Sequence, residues 1–382
     1  MNVSSRRAFL SSVAAGSAAL ASGPLLAQYS KPGSVMPTQG NASGPLPKND
    51  PTEAKRFVPS TRLGLGGVAV GNGFAPTSDE EAQATLAAAW DSGVRYFDTS
   101  PYYGFGLSER RYGWFLHNHP ADDYVLSTKV GRVFHATDAP RTGTLWKEAS
   151  PFDYKYDYTA DGARRSIEDS LERLGVSQID IAFIHDLSPD NGEIDWQEQF
   201  EIARKGAMPE LTKMREEGMI KAWGFGVNRP APALNSLEVA DPDIMLLACQ
   251  YSLIDHDQAL HDTLPKLAER NVSVVVGAPL MAGYLAGRDR YLYGGNVPEG
   301  APAKRSQLSE VVTRYGIDLR TASLQFAAAN PTVSSVIPGA RTPAQAEANA
   351  ESMRVKIPTD LWSELKHEGL IANDAPVPAE QA

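Results

Sequence analysis

One cysteine, Cys249, occurs in 382 residues. No disulfide can therefore form within the chain, and the fold must depend on its core and on any group bound in it. That suits folding in a reducing compartment. Positive charge is also scarce: 36 Lys and Arg stand against 46 Asp and Glu, a net charge of −10. With no basic stripe beyond the first residues, binding to nucleic acid or to an anionic membrane is not expected, whereas a small neutral or cationic partner is. The run Gly64-Leu65-Gly66-Gly67 lacks the GxGxxG spacing, which argues against a Rossmann nucleotide site. No GxSxG nucleophile elbow occurs, and Cys249 reads as a buried apolar residue at a strand end. His117 and His119 lack the further ligands that zinc needs, so no metal is expected. The composition that is present, 42% hydrophobic and 21% charged, fits a soluble globular protein with an ample core.

At the N-terminus, Ser5-Arg6-Arg7-Ala8-Phe9-Leu10 precedes an uncharged Ala/Ser/Leu stretch through Ala27, with small residues at Ala19-Leu20-Ala21. Residues 1–27 resemble a twin-arginine export signal. Gly16, Gly23 and Pro24 make the same stretch a poor membrane anchor. The resemblance implies engagement of the export machinery and a periplasmic destination, with the cytoplasm as the alternative should the signal reading fail. Residues 28–55, rich in Pro, Gly, Ser and Asn, read as a flexible tether. A single folded domain is expected over 56–382.

Within that domain, β-rich apolar runs alternate with helical stretches. Leu63 to Val70 is the first expected strand. Ser78-Asp79-Glu80-Glu81 forms a capping box for an Ala-rich helix that stops at Gly93. Arg95 to Phe97 and Tyr124 to Lys129 follow as strands two and three. Ile167, Leu171 and Leu174 mark a helix that Gly175 ends, and Ile179 to Ile184 is strand four. Further strands are expected at Ile220 to Phe225, Ile244 to Leu247, Val272 to Val276 and Val333 to Ile337. Eight strands joined by helical crossovers point to an α/β fold, a closed (β/α)8 TIM barrel.

In such a barrel, chemistry gathers at the C-terminal ends of the strands. Asp98 ends strand two, Lys129 strand three and His185 strand four, and Tyr103 lies five residues past Asp98. A tyrosine phenol ordinarily titrates near 10, too high for ready proton exchange at neutrality. A lysine beside it is expected to lower that value, a carboxylate to hold the lysine in place, and an imidazole to bind a substrate oxygen. Strand eight runs into Ile337-Pro338-Gly339-Ala340-Arg341-Thr342-Pro343, where Thr342 caps a helix and Arg341 supplies a cation. That pattern suits phosphate binding.

The segments FDTSPYYGFGLSER, VLSTKVG, DSLERLGVSQIDIAFIHD, GFGVNRP, ACQYSLID and IPGARTPAQAEAN together resemble the aldo-keto reductase family from Leu63 to Asn349. The branch they are most similar to oxidises aldose sugars at C1 and includes a pyridoxal 4-dehydrogenase. The resemblance implies an NAD- or NADP-dependent oxidoreductase of a small sugar-like or pyridoxal-like substrate. In it Tyr103 is the general acid/base, Lys129 and Asp98 tune it, and His185 orients the substrate oxygen. It places Asn228 and Gln250 at the nicotinamide carboxamide, Leu280 and Gly283 along the pyrophosphate, and Arg341, Gln345 and Asn349 around the adenosine. Gly339 and Gln345 replace a lysine and an arginine usual in NADP-preferring members, which leans toward NAD, although Arg341 remains a possible contact for a 2′-phosphate. Gly277 replaces an aromatic that often stacks on the nicotinamide. Two other readings stand beside this one: a barrel glycoside hydrolase using Asp98 and Asp186, and a cofactor-holding binding protein of slow turnover. Long substrate loops are expected at Val133 to Tyr158 and Gly287 to Lys304, carrying Trp146, Tyr154, Tyr156, Tyr291 and Tyr293.

Overall fold

The computed structural model describes residues 44–50, 54–139, 141–294 and 296–379. The expected signal at 1–27, and the expected tether up to residue 43, lie outside these. Among the described residues ten strands form in chain order: β1 (Leu65–Gly66), β2 (Tyr96–Asp98), β3 (Val125–Val130), β4 (Arg132–Ala136), β5 (Phe152–Tyr156), β6 (Ile179–His185), β7 (Ile220–Val227), β8 (Ile244–Ala248), β9 (Ser273–Gly277) and β10 (Val333–Ile337). Eight of them make one parallel sheet in the order β1-β2-β3-β6-β7-β8-β9-β10. The sheet closes on itself: Leu63 bridges Val336, and Gly66 bridges Gly339, both in parallel. A β-carbon at Gly66 would lie 2.8 Å from the Ile337 carbonyl oxygen, so the seam requires glycine there. The fold is a (β/α)8 barrel.

Local chemistry accounts for the helices between strands. Ser78 Oγ accepts from Glu81 N at 3.1 Å and opens the helix Asp79–Asp91. Thr159 caps Ala160–Leu174, and Gly175, at φ +67°, ends it. Alternation along each strand divides the apolar residues. Ile181 and Phe183 point into the barrel with Tyr96, Ala222, Ile244, Leu246 and Val275. Ala182 and Ile184 face the helices with Leu126, Phe225 and Val276.

Three expectations change. The first strand is shorter than Leu63 to Val70, because the glycine-rich stretch beyond Gly66 turns back on itself, Gly71 N donating to Gly67 O and Gly73 N to Val68 O. The expected loop from Val133 to Tyr158 contains an antiparallel hairpin, β4 against β5, in which Arg132 faces Tyr156. Phe134 and Phe152 stack across it with ring centroids 5.7 Å apart. The tether also ends early: Leu46 is buried in the outer core, Lys48 bridges Thr61, and Asn49 donates to Pro59 O and Ser334 O at 2.7 and 2.8 Å.

Candidate active site

The strand ends converge on one cavity of about 1010 Å3. Its walls include Asp98, Tyr103, Lys129, His185, Asn228, Leu280, Gly283, Gly339, Arg341, Gln345 and Asn349, so all but one of the expected catalytic and cofactor-binding residues meet there. The exception is Gln250, whose Nε2 donates to the Asn228 carbonyl at 2.5 Å.

At one end of the cavity, Lys129 Nζ donates to both oxygens of Asp98, each at 2.9 Å, and to Thr99 O at 2.7 Å. Asp98 also accepts from Ser127 Oγ at 2.7 Å. Both side chains are almost wholly buried, 1% and 2% exposed. Burial pushes the Asp98 carboxyl up, while the Lys129 ammonium and Ser127 hold it back. Lys129 Nζ sits 4.8 Å from the Tyr103 ring centroid, so the ammonium lies over the ring face with its donors already engaged. The expected lowering of the phenol is therefore not what the structure holds. Burial, and then the Asp98 carboxylate, push Tyr103 well above its ordinary 10.0. Tyr103 is kept protonated, as a proton donor.

The His185 ring lies 5.9 Å from that of Tyr103, centroid to centroid. Burial, then Arg132 and Lys129, hold its imidazole well below the usual range. It is neutral at physiological pH. His256, buried behind the loop after β8, is also held low, chiefly by burial. Between these depressed values and about 6.5, the unfolded chain binds protons that the native chain does not. Stability therefore rises with pH through that window and levels off above it. The urea midpoint is expected to be lower at pH 5.5 than at pH 7.5, and His185→Gln should shrink the difference. An equal difference in the variant would remove His185 from the account.

Asp98 is bound by Lys129, and Asp186 is paired with Arg132 at 2.9 Å. Neither carboxylate is placed to act as the free acid or nucleophile of a glycoside hydrolase.

The other end of the cavity is cationic. Arg288, Arg290 and Arg341 all line it. Burial lowers Arg290 first, and the positive charge of Arg288 and Arg341 lowers it further; Arg341 is lowered by burial, with Arg288 adding to the effect. Such mutual repulsion is relieved by an anion. The helix Pro343–Ser352 begins here, capped by Thr342, which adds its N-terminal dipole. Arg341 itself is committed to the loop after β1, donating to Gly73 O, Ala75 O and Thr77 Oγ1 at 2.5, 2.6 and 2.6 Å. Arg290 donates to Ala282 O at 2.7 Å and stacks on Phe74 at 3.7 Å. The cavity is large for a single small ligand, for which 300 to about 1,000 Å3 is usual. Its polyanion end and proton-donor end together fit a dinucleotide lying beside a small substrate.

Sequence reasoning missed several of these residues. Ser127 is too short and too common to stand out. Arg288 and Arg290 lay in a stretch read only for its aromatics. Arg132 directly follows the motif VLSTKVG, and that position was the only available signal.

The sequence and the barrel both have known relatives. The profile of the Aldo/keto reductase family matches residues 62–367. A D-threo-aldose 1-dehydrogenase from Pseudomonas sp is 35% identical over 336 residues, covering 85% of this chain and 99% of that protein. A pyridoxal 4-dehydrogenase from Microbacterium luteolum is 35% identical over 330 residues, 82% of this chain and 95% of that protein. Among solved structures, an aldo-keto reductase from Klebsiella pneumoniae in complex with NADPH superposes with a TM-score of 0.59 at 20% identity, over 84% of this chain and 95% of that one.

Proposed function

The chain belongs to the aldo/keto reductase family, and from that premise we propose that it is a nicotinamide-dependent dehydrogenase of a small polyhydroxylated, sugar-like or pyridoxal-like substrate, oxidising an alcohol or lactol or reducing the matching carbonyl. The observation that carries the reading is one cavity with a buried Asp98–Lys129 pair and a protonated Tyr103 at one end and Arg288, Arg290 and Arg341 at the other. The aldose and pyridoxal substrates named for the two relatives at 35% identity support the substrate class.

A nicotinamide dinucleotide, when bound, supplies or accepts the hydride. The chain's own residues supply the rest. Tyr103 gives its phenolic proton to the carbonyl oxygen in reduction and takes it back in oxidation. His185 hydrogen-bonds the same oxygen and orients it. Lys129 lies over the Tyr103 ring, where its charge stabilises the phenolate once the proton has left. Asn228 lines the cavity and would hold the carboxamide, Leu280 and Gly283 would flank the pyrophosphate, and Arg341, Gln345 and Asn349 would enclose the adenosine.

NAD is the preferred cofactor in this reading. Arg341, the cation that would meet a 2′-phosphate, is held by three oxygens of the β1 loop and the segment after it, and position 339 has no side chain. A β-carbon at Gly339 would meet nothing nearer than Gly66 O at 3.6 Å, so Gly339→Lys is sterically accommodated. The variant should strengthen NADP binding about fivefold, the order of one exposed ion pair, and leave NAD binding unchanged. Fluorescence titration with both nucleotides reads this, and equal gains for the two would overturn the assignment of position 339. The overall reading is tested by incubating the protein with aldoses and pyridoxal in the presence of either nucleotide. Absence of any nucleotide-dependent turnover, together with no nucleotide binding, overturns it.

Arg6-Arg7 and the weakly apolar stretch to Ala27 support export by the twin-arginine route after folding and cofactor loading. Native mass spectrometry of the mature protein tests the loading: a copurifying nucleotide is expected, and one lost on simple dialysis contradicts it.

A further inference from the structure

Behind His185, on the side away from the cavity, lies a cation that the site chemistry does not yet explain. Gly131, at φ +112° and with Tyr158 packed 2.3 Å from where its β-carbon would be, turns the chain sharply from β3 into β4. Gly131 is followed directly by Arg132, the first residue of the hairpin, so within three residues the chain passes from Lys129 in the cavity wall to an arginine under the site. Its side chain is 5% exposed. Three aromatic faces enclose the guanidinium, with Cζ 4.0 Å from the Tyr102 ring, 4.8 Å from Tyr156 and 5.2 Å from Tyr154. Nη2 donates to Tyr156 Oη and pairs with Asp186 Oδ2, both at 2.9 Å. Nη1 lies 3.3 Å from His185 Nδ1. Among the described residues the buried Nε has no hydrogen-bond partner, so the guanidinium is held through its two terminal nitrogens.

An arginine can only donate. His185 Nδ1 must therefore accept from Nη1, which excludes a proton on that nitrogen. Its other neighbour agrees: Ser100 Oγ, 3.1 Å from Nδ1, already accepts from Tyr102 N, so its own proton is available to the imidazole. In a neutral ring the proton then resides on Nε2, in the side chain that lines the cavity. We propose that Arg132 is a positioning residue whose guanidinium fixes His185 as the Nε2–H tautomer, so that the site presents a permanent hydrogen-bond donor, and not an acid, to the substrate oxygen. The substrate's part in this rests on the oxidoreductase reading, whereas the tautomer does not.

The ionisable groups around the ring set the expected response. Tyr102 and Tyr103 face it from the loop after β2, at centroid distances of 6.2 and 5.9 Å. Lys129 of β3 and Arg132 of β4 both disfavour its protonation. Tyr158 donates to the His185 carbonyl at 2.7 Å, and Asp186 follows on β6 with Oδ1 3.5 Å from Nε2. Arg132 neutralises that carboxylate. Without it, Asp186 would favour the imidazolium, and the ring would protonate more readily than in the wild type, with burial and Lys129 still opposing the charge.

The experiment is long-range proton–nitrogen correlation spectroscopy of the full, nitrogen-15-labelled chain, with His185 assigned among the seven histidines through His185→Gln. The expected wild-type spectrum has Nδ1 unprotonated and Nε2 protonated from about pH 5.5 to 8, unchanged in tautomer. In Arg132→Met the ring should take up its second proton at a higher pH than in the wild type, and kcat/KM should fall about 10- to 100-fold and show that shifted ionisation in its pH profile. Nucleotide affinity should not move. Arg132→Lys, which keeps a charged donor, should restore a flat profile in part. Arg132→Met combined with Asp186→Asn removes the stranded carboxylate and serves should the single variant fail to fold. A protonated Nδ1, a mixture of tautomers, or a wild-type titration midpoint between about 6 and 7 overturns the proposal, as does an Arg132→Met spectrum identical to the wild type. Should the protein bind neither nucleotide, the oxidoreductase reading falls and the tautomer result stands. A wrong tautomer in a nucleotide-binding protein overturns the role of Arg132 alone.

Discussion

Tyr103→Phe is expected to cut turnover by about 100- to 10,000-fold, the range a positioned proton donor contributes, with nucleotide affinity unchanged. The expectation follows from what the substitution keeps. The ring still packs on Trp146 at 5.4 Å and on His185 at 5.9 Å between centroids, and still lies under Lys129. Only the hydroxyl is lost. Stability should therefore be nearly unchanged, which separates a chemical from a folding effect. The same phenol predicts opposite pH behaviour in the two directions. Because burial and Asp98 raise it well above 10.0, it is protonated through the neutral range. Reduction, which uses the phenol, should be flat from pH 6 to 9. Oxidation, which needs the ionised form, should gain about tenfold per pH unit. Steady-state kinetics of the variant and of the wild type across pH check both. Turnover within a few-fold of wild type in Tyr103→Phe would remove Tyr103 from the chemistry.

Lys129→Met is expected to have the largest effect on stability, a loss of about 3–5 kcal/mol. Lys129 and Asp98 are buried together, and removing the ammonium leaves Asp98 charged or protonated among apolar neighbours, with only Ser127 to bond it. The double variant Lys129→Met/Asp98→Asn should recover much of that loss, since it removes the unpaired charge, but should remain as inactive as the single one. Urea denaturation gives the stability, and turnover gives the activity. A single variant as stable as wild type would mean that water reaches Asp98 and that the pair is not desolvated as described. The loss of activity without recovery in the double variant distinguishes charge over the Tyr103 ring from mere integrity of the barrel.

Much of the catalytic end was legible in the sequence. Asp98, Lys129 and His185 each sit at the end of an apolar run, and in a parallel barrel such ends share one rim whatever the details of packing. Thr342 and Pro343 marked the helix that faces the anion end because capping is a local rule. The illegible parts were those set by contacts between distant segments. Gln250 stands in the expected strand-end segment, yet its amide turns to the Asn228 carbonyl, a choice made by the neighbouring strand. Arg341 looked like a phosphate ligand, and only the fold of residues 73–77 against it engages its guanidinium. The hairpin of β4 and β5 was hidden inside an aromatic-rich loop, because its pairing depends on a register that residue composition does not encode.

By itself the sequence determined the barrel, the identity of the groups at its rim and the family, since these follow from periodicity, caps and residue order. The tertiary structure alone decided the protonation states. Tyr103 is held as a phenol and not lowered by its lysine, because Lys129 directs its donors to Asp98 and Thr99 and burial penalises the phenolate. His185 is held neutral, because burial penalises the imidazolium and Arg132, 53 residues earlier in the chain, is folded back against its Nδ1. A residue type fixes which protons exist, but desolvation and the charges brought alongside fix where they reside.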